Sequence, residues 1–248
     1  MELVVVGTGK MARAIIAGAV KNHEVIVIGR NTESLKEIEK KYKVSTKTLH
    51  NYNMNGKNII FCVKPYALVE ASKNLYGKAA SVISVLAGTS IKDIKINLKA
   101  TSYIRIMPNL AATYKKSMTI VTGDESFKEQ SLEICSSIGS TLWVGSEKEL
   151  DIATPVAGSG PAFLALVAEA LSDASVKEGL KREDADTIVR GLFEGFAPLI
   201  KNQHPALLKD GVMSPGGTTA AGYGALEDGA VRASFMRAVH LAYERTKK

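Results

Sequence analysis

The sequence predicts an α/β protein. An N-terminal Rossmann-type dinucleotide-binding domain on a doubly wound sheet is expected over residues 1–146, and an all-α domain over 147–248. Three observations predict it. The chain opens on strand, glycine turn and helix in "ELVVVGTGKMARAIIAGAV". Short apolar runs then alternate with helical stretches up to Gly145, the pattern of a parallel sheet covered on both faces. From Glu147 onward no stretch reads as a strand, and wide apolar stripes recur at helical spacing.

Leu3 to Val6 are continuously apolar and mostly β-branched, as a strand buried on both faces requires. Gly7, Gly9 and Ala12 follow as GxGxxA, and Met11, Ile15, Gly18 and Ala19 then recur at helical spacing. Gly7 permits a tight turn, Gly9 the close approach of a pyrophosphate, and Ala12 the packing of helix on strand. The pyrophosphate would rest on the amides of the helix N-terminus. A tight turn without a ligand would read similarly. The second apolar strand, "EVIVIG", arrives at the distance a nucleotide site needs and favours the nucleotide.

The end of that second strand selects the cofactor. An NAD site usually carries an acidic residue there, on the ribose hydroxyls. Here Arg30, Asn31 and Thr32 stand at that point, with no carboxylate before Glu33. An arginine donates two parallel hydrogen bonds to a 2′-phosphate. The expected cofactor is NADPH, with NADH a weaker substitute.

Further strands are expected at 58–63, 81–88 and 102–107, with helices over Glu33–Tyr42 and Tyr66–Leu75 between them. The strand ends carry "VKP", "LAG" and "MPN", where ligands of such sheets collect. Pro65 and Pro108 stop the strands there. "MTIVTG" and "STLWVG" complete the sheet at its edge. In the helical half, one stripe runs from Phe163 through Val167 to Ala174 and another from Ile188 through Phe196 to Ile200. Val231, Phe235 and Val239 lie on a last helix. Stripes this wide exceed what one small helical unit buries, which predicts a homodimer. A monomeric bundle packed on the sheet domain is the alternative.

Composition excludes several classes. Of 248 residues, 46% are hydrophobic and 23% charged, an ordinary globular balance. The net charge of +7 comes from scattered lysines rather than a dense basic patch, so nucleic acid is not an expected partner. The longest apolar run, Ala162–Ala168, is far short of a membrane span, and the N-terminus has no signal-type segment. Cys62 and Cys135 have neither metal nor disulfide spacing, and no metal is expected. Buried thiols in a reducing cytoplasm are the expectation.

"GTGKMA", "CVKP", "RIMPN", "AGSGPAF" and "MSPGGTTAAGYGALE" occur in that order, and together they resemble the pyrroline-5-carboxylate reductases along nearly the whole chain. The glycine turn alone is unspecific; "GSGPA" followed by "SPGGTT" is highly specific. The resemblance implies reduction of the cyclic imine 1-pyrroline-5-carboxylate to L-proline by NADPH or NADH. It also implies a dinucleotide domain, a helical dimerisation domain, and dimers that often associate further. The cofactor residues it implies are Gly7, Thr8, Gly9, Lys10, Met11, Ala12, Arg30, Asn51, Cys62, Val63, Lys64, Pro65, Ala87 and Gly88. The substrate residues are Ser214, Gly217, Thr218 and Thr219, with Glu147 at the family's usual distance before "GSGPA". The chain departs from the family at Met213, Ala157 and Phe163, where the family usually has Thr, Ser and Tyr. Each departure removes a hydroxyl without touching a residue assigned to chemistry.

In "SPGGTT", Gly216 and Gly217 let the backbone turn its amides toward a ligand, and Thr218 and Thr219 begin a helix. The free amides would take the substrate carboxylate. The Thr219 hydroxyl would reach the ring nitrogen and is the candidate catalytic group. A simple helix cap is the plainer reading of Ser and Thr beside Pro and Gly. An iminium carbon is already electrophilic, so no strong general acid is required. His23, His50, His204 and His240 are scattered and read as structural. Two other functions compete. A β-hydroxyacid-type dehydrogenase would need a lysine on the helix after "GSGPA", where none stands before Lys177. A non-catalytic NADPH sensor would not need "SPGGTT".

Overall fold

The structure, a computed structural model, describes residues 1–247. Met1–Ser159 and the residues from Ala242 onward form one compact unit; Gly160–Leu241 form a second.

The first unit runs β1 (Glu2–Val6), α1 (Lys10–Ala19), β2 (Glu24–Gly29), α2 (Thr32–Tyr42), β3 (Ser45–Thr48), β4 (Tyr52–Asn53) and β5 (Asn58–Phe61). It continues with α3 (Leu68–Ser72), β6 (Leu75–Tyr76), β7 (Ala79–Ser84), α4 (Ile91–Asn97) and β8 (Ala100–Met107). It ends with β9 (Ser117–Gly123), α5 (Lys128–Ser136), β10 (Gly139–Trp143) and α6 (Glu147–Ala157). Eight strands form one sheet in the order β10-β9-β8-β7-β5-β1-β2-β3, and β4 pairs with β6 in a small second sheet. The continuous apolar runs are explained by burial on both faces. Leu3, Val5, Val27 and Ile60 pack against Ile15 and Ile16 of α1. Val4, Val6, Ile28 and Phe61 point the other way, toward Leu68 and Ile94.

Two local expectations are corrected. The sheet is parallel except between β8 and β9, which run antiparallel. Their connection holds only the 3₁₀ turn Leu110–Tyr114, too short for a parallel crossover of about a dozen residues or more. The helix expected over Tyr66–Leu75 shrinks to a 3₁₀ turn, Pro65–Ala67, and α3. Ser72 Oγ donates to the Leu68 carbonyl at 2.7 Å and Asn74 Nδ2 to that of Glu70 at 3.1 Å, closing the helix before β6 begins. The first compact unit runs on through α6 to Ser159. Leu150 and Ala157 of α6 pack with Met107 and Ile120, which keeps α6 on the sheet.

The second unit holds α7 (Gly160–Lys177), α8 (Arg182–Asn202), α9 (Pro205–Val212) and α10 (Thr218–Asp228), with most of α11 (Val231–Thr246). Buried Ser172 of α7 accepts from Arg182 Nη1 at 2.8 Å and donates to Asp186, which pins α7 to α8. Large apolar side chains stay uncovered, among them Leu166, Ile188, Leu192 and Leu199. By length and composition, Glu147–Lys177 could cross a membrane, with a mean hydropathy of 1.4. It is two helices, divided at Gly158–Ser159, and the first of them packs on the sheet.

Candidate active site

The topology sets where a ligand can lie. From β1 the chain moves outward to β2 and β3, then returns to β5, β7 and β8 on the other side of β1. The switch point between β1 and β5 opens a crevice at the carboxyl ends of the strands. A groove of about 1120 Å³ lies there. Gly7, Thr8, Gly9, Lys10, Met11, Arg30, Cys62, Val63, Lys64, Pro65 and Ala87 all line it. Eleven of the expected cofactor residues, drawn from four separate segments, are thus brought together.

The glycine turn is built as its chemistry requires. Gly7 has φ +125°, and a Cβ there would stand 2.6 Å from the Cys62 carbonyl oxygen. Gly9 caps α1 with no side-chain hydrogen bond, and a Cβ on it would meet nothing within 4 Å. The first amides of α1 therefore face open space, as an anion site needs. Arg13 braces the turn: Nε donates to the Thr8 carbonyl at 3.1 Å, and Nη2 pairs with Glu37 at 2.8 Å. At the end of β2, Asn31 Oδ1 accepts from Ser34 N at 2.7 Å and closes the N-terminus of α2. Arg30 beside it is exposed and held by no ion pair among the described residues. These features fit a phosphorylated dinucleotide.

Three expected cofactor residues lie outside the groove lining. Ala12 is fully buried, under the turn rather than in the groove. Asn51, with φ +46°, lines a separate recess with Lys47, His50 and Tyr52, while Leu49 takes the place on the groove wall. Gly88 follows Ala87 with φ +64°. Other lining residues lie beyond the expected set: Tyr66 and Ala67, Val85 and Leu86, and Met107, Pro108 and Leu110. The strand-end triplets "VKP", "LAG" and "MPN" carry the signal for this region. Asn109 of "MPN" is structural: its Nδ2 donates to the Ala157 carbonyl at 2.8 Å.

Glu147 opens α6. Its Oε1 accepts from Arg105 Nη1 and from the Ile91 amide, each at 2.8 Å. Its carboxylate is committed to an ion pair inside the sheet unit.

In the second unit, the turn before α10 has the expected form. Gly217 N donates to the Ser214 carbonyl at 3.0 Å across Gly216, which has φ +69°. Gly217 is the N-cap, α10 starts at Thr218, and no side chain caps it. A Cβ on Gly217 would stand 2.4 Å from Ser214 Oγ. The plain cap reading is not met, because neither threonine hydroxyl nor that of Ser214 satisfies the helix end. Thr218 and Thr219 are exposed.

His204 and the two cysteines have structural places. His204 Nδ1 accepts from Ala206 N at 3.3 Å, a local cap on α9. Burial raises the thiol pKa of both Cys62 and Cys135. Among the described residues, no three His, Cys, Asp or Glu side chains gather as a metal site would require.

Comparison with known proteins agrees with this geometry. A family model described as pyrroline-5-carboxylate reductase dimerisation matches residues 147–248. Another, described as NADP oxidoreductase, coenzyme F420-dependent, matches residues 2–88. The pyrroline-5-carboxylate reductase of Helicobacter pylori strain J99 is 32% identical, covering 95% of each chain. That of Thermus thermophilus is 35% identical, over 99% of this chain and 97% of that protein. The crystal structure of the Streptococcus pyogenes 1-pyrroline-5-carboxylate reductase superposes with a TM-score of 0.86 at 31% identity, over 100% of this chain and 98% of that one. A Plasmodium falciparum pyrroline carboxylate reductase with NADP bound gives 0.86 at 25% identity, over 100% and 97%.

Proposed function

The chain belongs to the pyrroline-5-carboxylate reductase family, and from that premise we propose how it divides the NADPH-dependent reduction of 1-pyrroline-5-carboxylate to L-proline between its two units. It is an oxidoreductase acting on a cyclic C=N bond. The observation that carries the cofactor half is one continuous groove running from the open end of α1 to Arg30 on one side and to Ala87 on the other. Gly7 to Met11 hold the pyrophosphate, and Arg30 holds the 2′-phosphate. Val63 to Pro65 and Ala87 flank the nicotinamide riboside. When bound, NADPH supplies the hydride.

The substrate half is the turn before α10. Ser214 and Gly217 shape it, and its uncapped amides take the carboxylate. Thr218 lends mainly its backbone amide. The Thr219 hydroxyl bonds the ring nitrogen and holds it as the imine becomes an amine. No strong general acid is required, and proton supply is left to solvent. Glu147 we assign to the ion pair within the sheet unit rather than to the substrate.

Residues 1–146 serve the cofactor and residues 147–248 serve substrate and self-association, as a homodimer able to associate further. The match to a dimerisation family over 147–248 supports that division. A cytoplasmic enzyme with no nucleic-acid or membrane partner fits the family and the two buried free thiols. The direct test mixes the protein with NADPH and pyrroline-5-carboxylate and follows nicotinamide absorbance. Oxidation of NADPH dependent on the imine is expected; binding of NADPH without turnover would overturn the reading.

A further inference from the structure

Arg105 is a buried charge that neither cofactor nor substrate contacts account for. It stands on β8, two residues before Met107, and is 2% exposed. Its Nη1 donates to Glu147 Oε1 and its Nη2 to Asp151 Oδ1, each at 2.8 Å. The two carboxylates are one turn apart on α6. Glu147 Oε1 also accepts from the Ile91 amide at 2.8 Å, at the start of α4. Across the sheet, Ser84 at the end of β7 lies in register with Arg105. A single carboxylate oxygen therefore joins two neighbouring loops, the one from β7 to Ile91 and the one that follows Arg105.

Both loops line the same end of the groove, through Val85, Leu86 and Ala87 on one and Met107 and Pro108 on the other. That end lies across the β1 turn from Arg30 in strand order. With the 2′-phosphate at Arg30, the nicotinamide falls between these loops. We propose that Glu147 and Arg105 are positioning residues for hydride transfer, a role that rests on the reductase reading above. They touch neither ligand. They fix the separation of the two loops that hold the nicotinamide. A charged network in a low-dielectric setting is stiff, and removing Glu147 leaves Arg105 with Asp151 alone and the Ile91 amide without its acceptor, so the set acts as a unit. Misplacement of a reacting group by about 1 Å can cost on the order of 100-fold in rate.

The experiment uses the full-length enzyme and measures kcat, the KM for pyrroline-5-carboxylate, NADPH affinity by nicotinamide fluorescence, and the isotope effect with 4-deuterated NADPH. In E147A, kcat per folded molecule should fall about 10- to 100-fold, with a larger isotope effect. Its substrate KM and NADPH affinity should hold within roughly threefold, because the contacts to both ligands remain. E147Q keeps an oxygen for both donors and should restore most of kcat. E147D keeps the charge but draws the oxygen back from the Ile91 amide; it should lose several-fold, and it carries the test if E147A does not fold. Unchanged kcat in both E147A and E147D, with only a lower melting temperature, would show a purely structural pair and overturn the proposal. A loss confined to substrate KM would instead make Glu147 a substrate ligand, and also overturns it. Failure of the unmodified protein to reduce the imine would overturn the reductase reading itself.

Discussion

Gly7 faces the backbone carbonyl of Cys62 so closely that a methyl group on its α-carbon would lie 2.6 Å from the oxygen. Two residues on, Gly9 has nothing within 4 Å of the same position. The two glycines of one turn therefore answer to different needs. Gly7 is required by the fold, and Gly9 leaves open space at the groove.

The pair can be separated by substitution. Gly7→Ala meets both a left-handed φ and a backbone clash, costs that sum to roughly 2 to 5 kcal/mol of stability. Gly9 has φ −72°, which alanine adopts freely, so Gly9→Ala should melt like the parent without cofactor. Its NADPH dissociation constant should nevertheless rise about tenfold, or about 1.4 kcal/mol, from crowding of the pyrophosphate. Thermal melting with and without NADPH reads both. A Gly9→Ala protein that binds NADPH normally would remove the pyrophosphate from this turn.

Arg30 should decide between cofactors. It is exposed at the end of β2 and held by no ion pair among the described residues, so removing it breaks nothing in the fold. A charged contact to a phosphate is worth roughly 1.5 to 3 kcal/mol, so Arg30→Ala should raise the NADPH Michaelis constant about tenfold or more. The constant for NADH should scarcely move. Equal use of both cofactors by the unmodified enzyme would refute this.

Self-association is expected to use α8. Ile188, Leu192, Phe196 and Leu199 share one face and are all exposed in the isolated chain. Light scattering at micromolar concentration should find no stable monomer. Leu192→Arg would bury an unpaired charge at a cost of several kcal/mol and should shift the assembly toward monomer by at least about 100-fold. A fully active monomer of the unmodified protein would contradict the dimer.

His23 sits buried between α1 and β2, and neither ring nitrogen finds a hydrogen-bond partner among the described residues. Burial, reinforced by the positive N-terminus, lowers its pKa below the usual 6.5. The unfolded chain therefore takes up the proton first as pH falls. The stability that neutral His23 contributes is complete above pH 6.5 and is lost as pH falls from there toward the folded value. His23→Leu should flatten the fall in melting temperature between about pH 7 and 5 relative to the parent. Parallel curves for the two proteins would show that folding leaves the proton affinity of His23 unchanged.

Much of this was legible in the chain because it depends on local pattern. The apolar run Leu3–Val6, the glycine turn and Arg30 each carry their chemistry in adjacent residues. What escaped depends on pairing at a distance. β3 reads "STKT" and has no apolar signature, since an edge strand needs burial on one side at most. In the sequence Arg105 is one charge within the apolar run "SYIRIM". Its partners, Glu147 and Asp151, lie 42 and 46 residues on and became visible only when α6 packed on the sheet. Asn51 had a motif-based place, but its backbone turns it into another recess.

The two adjacent threonines that open α10 should separate catalysis from capping. No side chain caps this helix, and Gly217 holds the cap position alone. Neither Thr218→Ala nor Thr219→Ala removes a stabilising hydrogen bond, so both should melt within a degree or so of the parent. A lost cap would instead cost about 1 kcal/mol. The amide of residue 218 survives its substitution, so carboxylate binding persists and turnover should fall only a few-fold. Thr219→Ala removes the hydroxyl assigned to the ring nitrogen, a contact that tightens as the imine is reduced. Losing one such preorganised group lowers turnover on the order of 10- to 1000-fold. NADPH affinity should be unchanged in both, because the groove is lined entirely by the sheet unit. Thr219→Ser restores the hydroxyl without the methyl and should recover most of the rate. Normal turnover in Thr219→Ala would leave the turn as a carboxylate site and no more.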